Sequence, residues 1–274
     1  MRFRAIHSLI FSLLVLPVHA DPILGTAGSF GVLSSSTVTN TGASVVTGNV
    51  GVSPGSAITG FPPGTATGSI YSAGGIAAQA QTDASAAYNG LAGMEVTDIL
   101  TGTDLGGLTL TPGVYEFGSS AQLTGALTLD GEGNDDALWV FLIGSTLTTA
   151  SGSGVSVIGS GPNDGIFWDV GSSATLGTTT DFEGNILASA SITLDNGATI
   201  GCGSALASTG AVTMNTNTIS TGCNGGGTLS NGVITALPAT STPGTSTVPE
   251  PASIFLLGSG LVSLAGWARR KLCK

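Results

Sequence analysis

Residues 166–219 read IFWDVGSSATLGTTTDFEGN, then ILASASITLDNGATIGCGS, then ALASTGAVTMNTNTI, three blocks that begin about 20 residues apart. Each block opens on a short apolar run: Ile166-Phe167-Trp168, Ile186-Leu187-Ala188 and Ala205-Leu206-Ala207. A Gly or Ser turn leads to a second run, Ala174-Thr175-Leu176, Ile192-Thr193-Leu194 and Val212-Thr213-Met214. Third runs follow near Asp181-Phe182, Ala198-Thr199-Ile200 and Asn217-Thr218-Ile219. An earlier block fits with one insertion, as Trp139-Val140-Phe141, Ser145-Thr146-Leu147 and Val155-Ser156-Val157. Three short strands per unit, joined by small-residue turns, predict an all-β solenoid of triangular cross-section. Alternate residues then face inward, and successive coils stack about 4.8 Å apart.

Moving toward the N-terminus, one segment breaks this pattern. Residues 75–92 lack a two-residue period, while Ile76, Ala80, Ala84, Ala87 and Leu91 recur at helical steps and Gly93 offers a C-cap. The spacing predicts one long Ala-rich α-helix lying closely against a side of the solenoid. The Pro- and Gly-rich stretch Ser53–Gly68 is expected to be a loop that caps one end.

Placing Leu147, Leu176, Leu194 and Met214 in register as inward residues puts Thr146, Thr175, Thr193 and Thr213 one position earlier, outward and in one column. Thr37, from Ser36-Thr37-Val38-Thr39-Asn40, joins them in the same way. The neighbouring outward positions include Thr148, Ser191, Ala211 and Asn215, small and uncharged, with Asp195 the exception. A threonine offers a hydroxyl and a methyl on a stiff, β-branched side chain, so a column of them loses little entropy on docking. Such a grid suits an ordered plane of water. Threonine is also simply a favoured strand residue, and outward ladders of it occur on ordinary β-proteins.

Charge removes several function classes. The chain of 274 residues carries a net charge of −10, and its six basic residues are Arg2, Arg4, Arg269, Arg270, Lys271 and Lys274. Both histidines, His7 and His19, lie near the start, so nothing between Asp21 and Ala268 is cationic. Nucleic-acid binding, which draws on Lys and Arg, is excluded, as are a phosphate-cradling lysine, a His-dependent triad and a His-ligated zinc site. No cofactor or metal is expected, and no enzymatic activity. Asp164, Asp169, Asp181 and Glu183 would be the only candidates for a carboxylate-pair glycosidase. The acidic stretch Asp130–Asp136 resembles half a calcium loop but lacks its pattern, and reads as an acidic turn.

The ends read as processing segments. Residues 1–20 have a basic start, an apolar run over Ile6–Leu16 and Val18-His19-Ala20 before Asp21, the pattern of a cleaved signal peptide. Residues 21–235 form the β-helix domain and 236–248, rich in Pro, Thr and Ser, the linker. Over 249–274, Pro249-Glu250-Pro251 precedes a short apolar, transmembrane-like segment and Arg269-Arg270-Lys271. This resembles the bacterial PEP-CTERM sorting signal, which implies an exosortase-type processing enzyme as partner and release to the cell envelope surface or extracellular matrix. Membrane contact is expected only through this signal. Cys202 and Cys223 lie about one coil apart in the exported part, where a disulfide is permitted.

A second resemblance covers roughly residues 23–222. Thr47-Gly48-Asn49-Val50-Gly51-Val52-Ser53-Pro54, Leu110-Thr111-Pro112-Gly113-Val114-Tyr115, Phe167-Trp168-Asp169-Val170-Gly171-Ser172-Ser173-Ala174-Thr175-Leu176-Gly177 and Gly184-Asn185-Ile186-Leu187-Ala188 resemble, in order and spacing, the bacterial and fungal β-helical ice-binding protein family. The resemblance implies a discontinuous right-handed β-solenoid with a long helix alongside, and a flat Thr-bearing face that binds ice. Carried over, it puts Thr37, Thr146, Thr175, Thr193 and Thr213 at the site, with Ser191, Ala211 and Asn215 beside them. The alternative is a non-catalytic matrix adhesin that binds polysaccharide, which would require exposed aromatic side chains in a groove.

Overall fold

A computed structural model describes residues 21–239. The expected signal peptide, the sorting segment and all but the start of the linker lie outside the described residues. Within them, three parallel sheets of nine, seven and eight strands form the sides of a prism. A small antiparallel sheet is added by Asp21–Pro22, Gly227–Ser230 and Val233–Ala236. The repeat read from the sequence is the coil of this solenoid. Its first, second and third strands are Gly165–Val170, Ala174–Leu176 and Asp181–Glu183, then Asn185–Ala188, Ile192–Leu194 and Thr199–Cys202, then Ala205–Ala207, Val212–Asn215 and Thr218–Ser220.

The coils do not stack in chain order. Phe30–Ser34, the first strand of the first sheet, pairs on one side with Asn49–Val52 and on the other with Ala205–Ala207. The solenoid's first coil therefore lies in mid-stack, the chain winds outward to Ile70–Ser72 at one end, and it resumes at Asp98–Ile99 at the other. From there it winds back until its last coil meets its first. Helix α1, Gly75–Ala92, makes the crossing along the outer face of the first sheet, touching strands from Ile70–Ser72 to Leu138–Ile143. Its 18 residues span about 27 Å, close to the roughly 29 Å of six strand spacings it must cover.

The first sheet is consequently buried on both faces. Inward, Phe141 stacks on Trp168 with ring centroids 3.8 Å apart, and Trp168 meets Phe182 at 4.9 Å, within a core of Val, Ile, Leu and Ala. Outward, Leu33, Leu187, Leu206 and Phe167 pack against Ala77, Ala80, Ala84, Ala87 and Leu91 of α1. Alanine lets the helix backbone approach the sheet closely, and the apolar area removed from water holds it there. The expected start of this face is corrected by one residue. Ile76 is exposed and Ala77 is buried, because a stripe through Ala80, Ala84 and Ala87 runs back by three residues, not four.

Two further expectations change. Ser53–Gly68 is not a plain loop, since Ala57–Thr59 and Thr65–Ala66 pair with Thr37–Thr41 and Val45–Thr47 to complete the end coil. The prolines sit at its corners, where no ladder donor is lost. The acidic stretch is a turn only at Asp135-Asp136; its first five residues are the irregular continuation of the strand Ala126–Asn134, which rejoins its neighbour at Asn134 and Ser160 after a register shift. Elsewhere the corners are tight: at Gly203, φ +145°, a Cβ would lie 2.1 Å from the Gly184 carbonyl oxygen one coil away.

Candidate functional site

The three sides of the prism differ in what they show to solvent. The first is covered by α1. The third displays Asp181 and Glu183, and its ladder shifts register between Phe182 and Glu183. The second sheet, from Ala121–Leu123 through Ala57–Thr59, keeps one register throughout, without a bulge. Regular pairing keeps the outward side chains of this side in straight columns from rung to rung.

Its register is Thr148 to Thr175, Thr175 to Thr193, Thr193 to Thr213, Thr213 to Thr39 and Thr39 to Thr59, with Gln122 before Thr148. Six threonines thus stand in one outward column, with inward Leu147, Ala174, Ile192, Val212 and Val38 buried beside them. Thr39, Thr59, Thr148 and Thr213 are exposed, and Thr175 and Thr193 half-buried. Rungs repeat at about 4.8 Å, and the next outward residue along a strand lies about 6.7 Å away.

Thr175, Thr193 and Thr213 occupy the column expected of them, whereas Thr37 and Thr146 do not. The structure pairs Leu147 with Ala174, not with Leu176, so Thr146 falls beside Ser173 and its place is taken by Thr148. Likewise Val38 pairs with Val212, which sets Thr37 beside Ala211 and brings Thr39 to Thr213. The slip has a clear origin. Each strand offers two inward positions, and in the Leu147–Thr149 strand the second is filled by a buried threonine. Thr149 Oγ1 accepts from the Gly177 N–H at 2.9 Å and bonds the Thr180 hydroxyl at 2.8 Å, so a polar residue satisfies the place that alternation reserves for an apolar one.

Thr146, Ser173, Ser191, Ala211, Thr37 and Ala57 therefore form a second outward column, and Gly177, Asp195, Asn215 and Thr41 stand in a third. The columns differ in hydrogen bonding. Thr146 Oγ1 donates to Ser120 Oγ at 2.9 Å, Ser173 Oγ accepts from the Ser191 N–H, and Ser191 Oγ from the Ala211 N–H. Asn215 Oδ1 accepts from the Asn196 amide. Among the described residues, none of the six hydroxyls of the central column has a protein partner. They are free to bond something that arrives.

The other candidate chemistries do not assemble. Asp169 lies on the first sheet beneath α1, 4% exposed, and accepts from the Tyr88 hydroxyl, while Asp181 and Glu183 lie on the third sheet. Burial pushes the Asp169 carboxyl up to about 7 against the lowering effect of Tyr88. Burial, then the charge of Asp181, raises Glu183 to about 7. Among the described residues, Asp130–Asp136 gathers no three-carboxylate cluster. Trp139, Trp168 and Tyr115 are buried in the prism, so the aromatic groove that an adhesin needs is not formed from them. Cys202 and Cys223 are joined in a disulfide, Cα atoms 5.6 Å apart.

Comparison with known proteins agrees with this geometry. A family model described as ice-binding-like matches residues 32–220, and one for the PEP-CTERM protein-sorting motif matches residues 247–271. An ice-binding protein of Nostoc sp. (strain HG1) is 55% identical over 92% of this chain and 88% of its own length. One from a Colwellia species is 37% identical over 72% and 82%. Among solved structures, an ice-binding protein from an Antarctic biological consortium superposes with a TM-score of 0.70 at 44% identity, covering 75% of this chain and 93% of that one. That of the ascomycete Antarctomyces psychrotrophicus gives 0.68 at 40% identity, covering 72% and 96%. The adhesin reading has no support among these relatives.

Proposed function

Since the chain belongs to the ice-binding-like family, we propose that it binds the surface of ice through the outer face of its second sheet. The observation that carries this is the central column, six unpartnered threonine hydroxyls in unbroken register on an uncovered side. Thr175, Thr193 and Thr213 with Thr39, Thr59 and Thr148 form its axis. Thr37, Thr146, Ser191 and Ala211 widen it, and Asn215 lies at its border. Each methyl holds neighbouring water in a cage while the hydroxyl anchors it, so the face carries an ordered water layer that merges with the crystal. Stiff χ1 angles keep the entropy cost of docking low. Adsorbed molecules pin the growth front, which slows growth and recrystallisation, or tether a cell or its matrix to ice.

Delivery follows from the ends of the chain. Residues 1–20 direct export and are removed, 21–235 fold outside, and 236–248 link them to the sorting segment 249–274. An exosortase-type enzyme acts on that segment and leaves the domain at the cell envelope surface or in the extracellular matrix.

Substituting Thr193→Tyr or Thr213→Tyr places a ring where the face must be flat. The expected result is loss of most thermal hysteresis and recrystallisation inhibition, with circular dichroism and Tm close to those of the parent. Full activity in both variants would refute the assignment to this face.

A further inference from the structure

A second cluster, at the corner between the third and first sheets, stands apart from the ice-facing side. The disulfide Cys202–Cys223 has beside it a carboxylate, Glu183, and one oxygen of that carboxylate lies within 4.8 Å of both sulfurs. Strand pairing holds Glu183 opposite Cys202, and the Cys202 N–H donates to the carboxylate. Two glycines keep the space open. A Cβ at Gly201 would come within 2.5 Å of Glu183 Oε1, and one at Gly222 within 2.7 Å of Cys202 Sγ. Glu183 Oε2 is buried and has no hydrogen-bond partner.

That orphan oxygen is the informative feature. A disulfide has no hydrogen to donate, so the closed bond cannot satisfy the carboxylate, whereas a bound cation can. No Lys, Arg or His occurs between residues 21 and 239 to serve instead. Two thiolates and a carboxylate suit a thiophilic divalent ion, and all three donors are half-buried, which leaves a fourth position to water. We propose that Glu183, Cys202 and Cys223 form a redox-gated site for a Zn2+-class ion, shut while the disulfide stands and opened by its reduction. With a phosphine as reductant, the S–S bond breaks, phosphorus takes an oxygen from water, and the two sulfurs take two protons. Metal binding then displaces both thiol protons as two metal–sulfur bonds form.

The test uses the full chain carrying Cys273→Ser, which removes the one competing thiol. Titrated with Co2+ after phosphine treatment, it is expected to show thiolate-to-cobalt charge-transfer absorption saturating at one equivalent and reversed by Zn2+, while the oxidised protein shows none. Glu183→Gln should weaken binding by at least the roughly 10–100-fold that even an outer-shell partner commands. Absence of the band, unchanged affinity in Glu183→Gln, or loss of the β-type circular dichroism on reduction would each overturn the proposal.

Discussion

Thr146 and Thr148 stand two residues apart on the same outward side, yet only Thr146 has its hydroxyl engaged by a neighbour. This difference ranks the threonines. Thr148→Tyr should cost activity as heavily as Thr193→Tyr, whereas Thr146→Ala, which removes a hydroxyl already spent on Ser120, should cost little; recrystallisation inhibition at matched concentration distinguishes them. Asp195 is the one carboxylate among the three columns, and a hydrated charge opposes docking on ice. Asp195→Ser is expected to raise thermal hysteresis; no change would mean that the border does not meet the crystal, and a decrease would contradict the argument that the charge opposes docking. Thr175, Thr193 and Thr213 were legible from sequence because each sits between two apolar residues that fix its direction. Thr39 and Thr59 were not, and Thr148, outward as expected, stands one column from its expected place. Thr39 and Thr59 gain their places from pairing between segments far apart in the chain, and Thr148 from a buried threonine that mimics an outward one.

At the scale of elements, the helix bounds follow from composition, since its Ala spacing and Gly93 mark the segment that cannot join a two-residue alternation. The end coil was hidden because Ala57–Thr59 and Thr65–Ala66 are too short to show a period. Under α1, the outward column of the first sheet runs Leu142, Asp169, Leu187, Leu206 and Leu33, so one carboxylate interrupts an apolar seam. Its folded pKa of about 7 exceeds the ordinary carboxylate value. The neutral form is therefore favoured by folding, and the stability it supports is complete below the unfolded pKa and lost as pH rises through about 7. Glu183, shifted in the same direction, adds to the effect. Thermal unfolding should show stability falling as pH rises from about 4 to about 7 and levelling off above, with Asp169 contributing on the order of 2 kcal/mol. Asp169→Asn, whose amide oxygen still accepts from Tyr88, should flatten that profile and raise Tm at pH 8. An unchanged profile would show that Asp169 is ionised at little cost.

For the whole molecule, the decisive feature is that the first coil lies between the second and the last. Neither of the described chain's ends is an end of the prism, whose extremities are Ile70–Ser72 and Asp98–Ile99, both mid-sequence. Solenoids open from their extremities, where a coil has a single neighbour. Amide hydrogen exchange should therefore be fastest in 57–72 and 98–110 and slowest in 30–41 and 205–215, and rapid exchange in 30–41 would contradict this order. Sequence alone could not reveal the arrangement, because the repeat gives the coil but not which coils touch. It has a consequence for biogenesis. An emerging chain exposes the sticky edge of Phe30–Ser34 from the outset, and its proper mate, Ala205–Ala207, is among the last segments to arrive. Until then the Phe30–Ser34 edge has no partner on that side, so this seam in mid-prism is the last part of the solenoid to close.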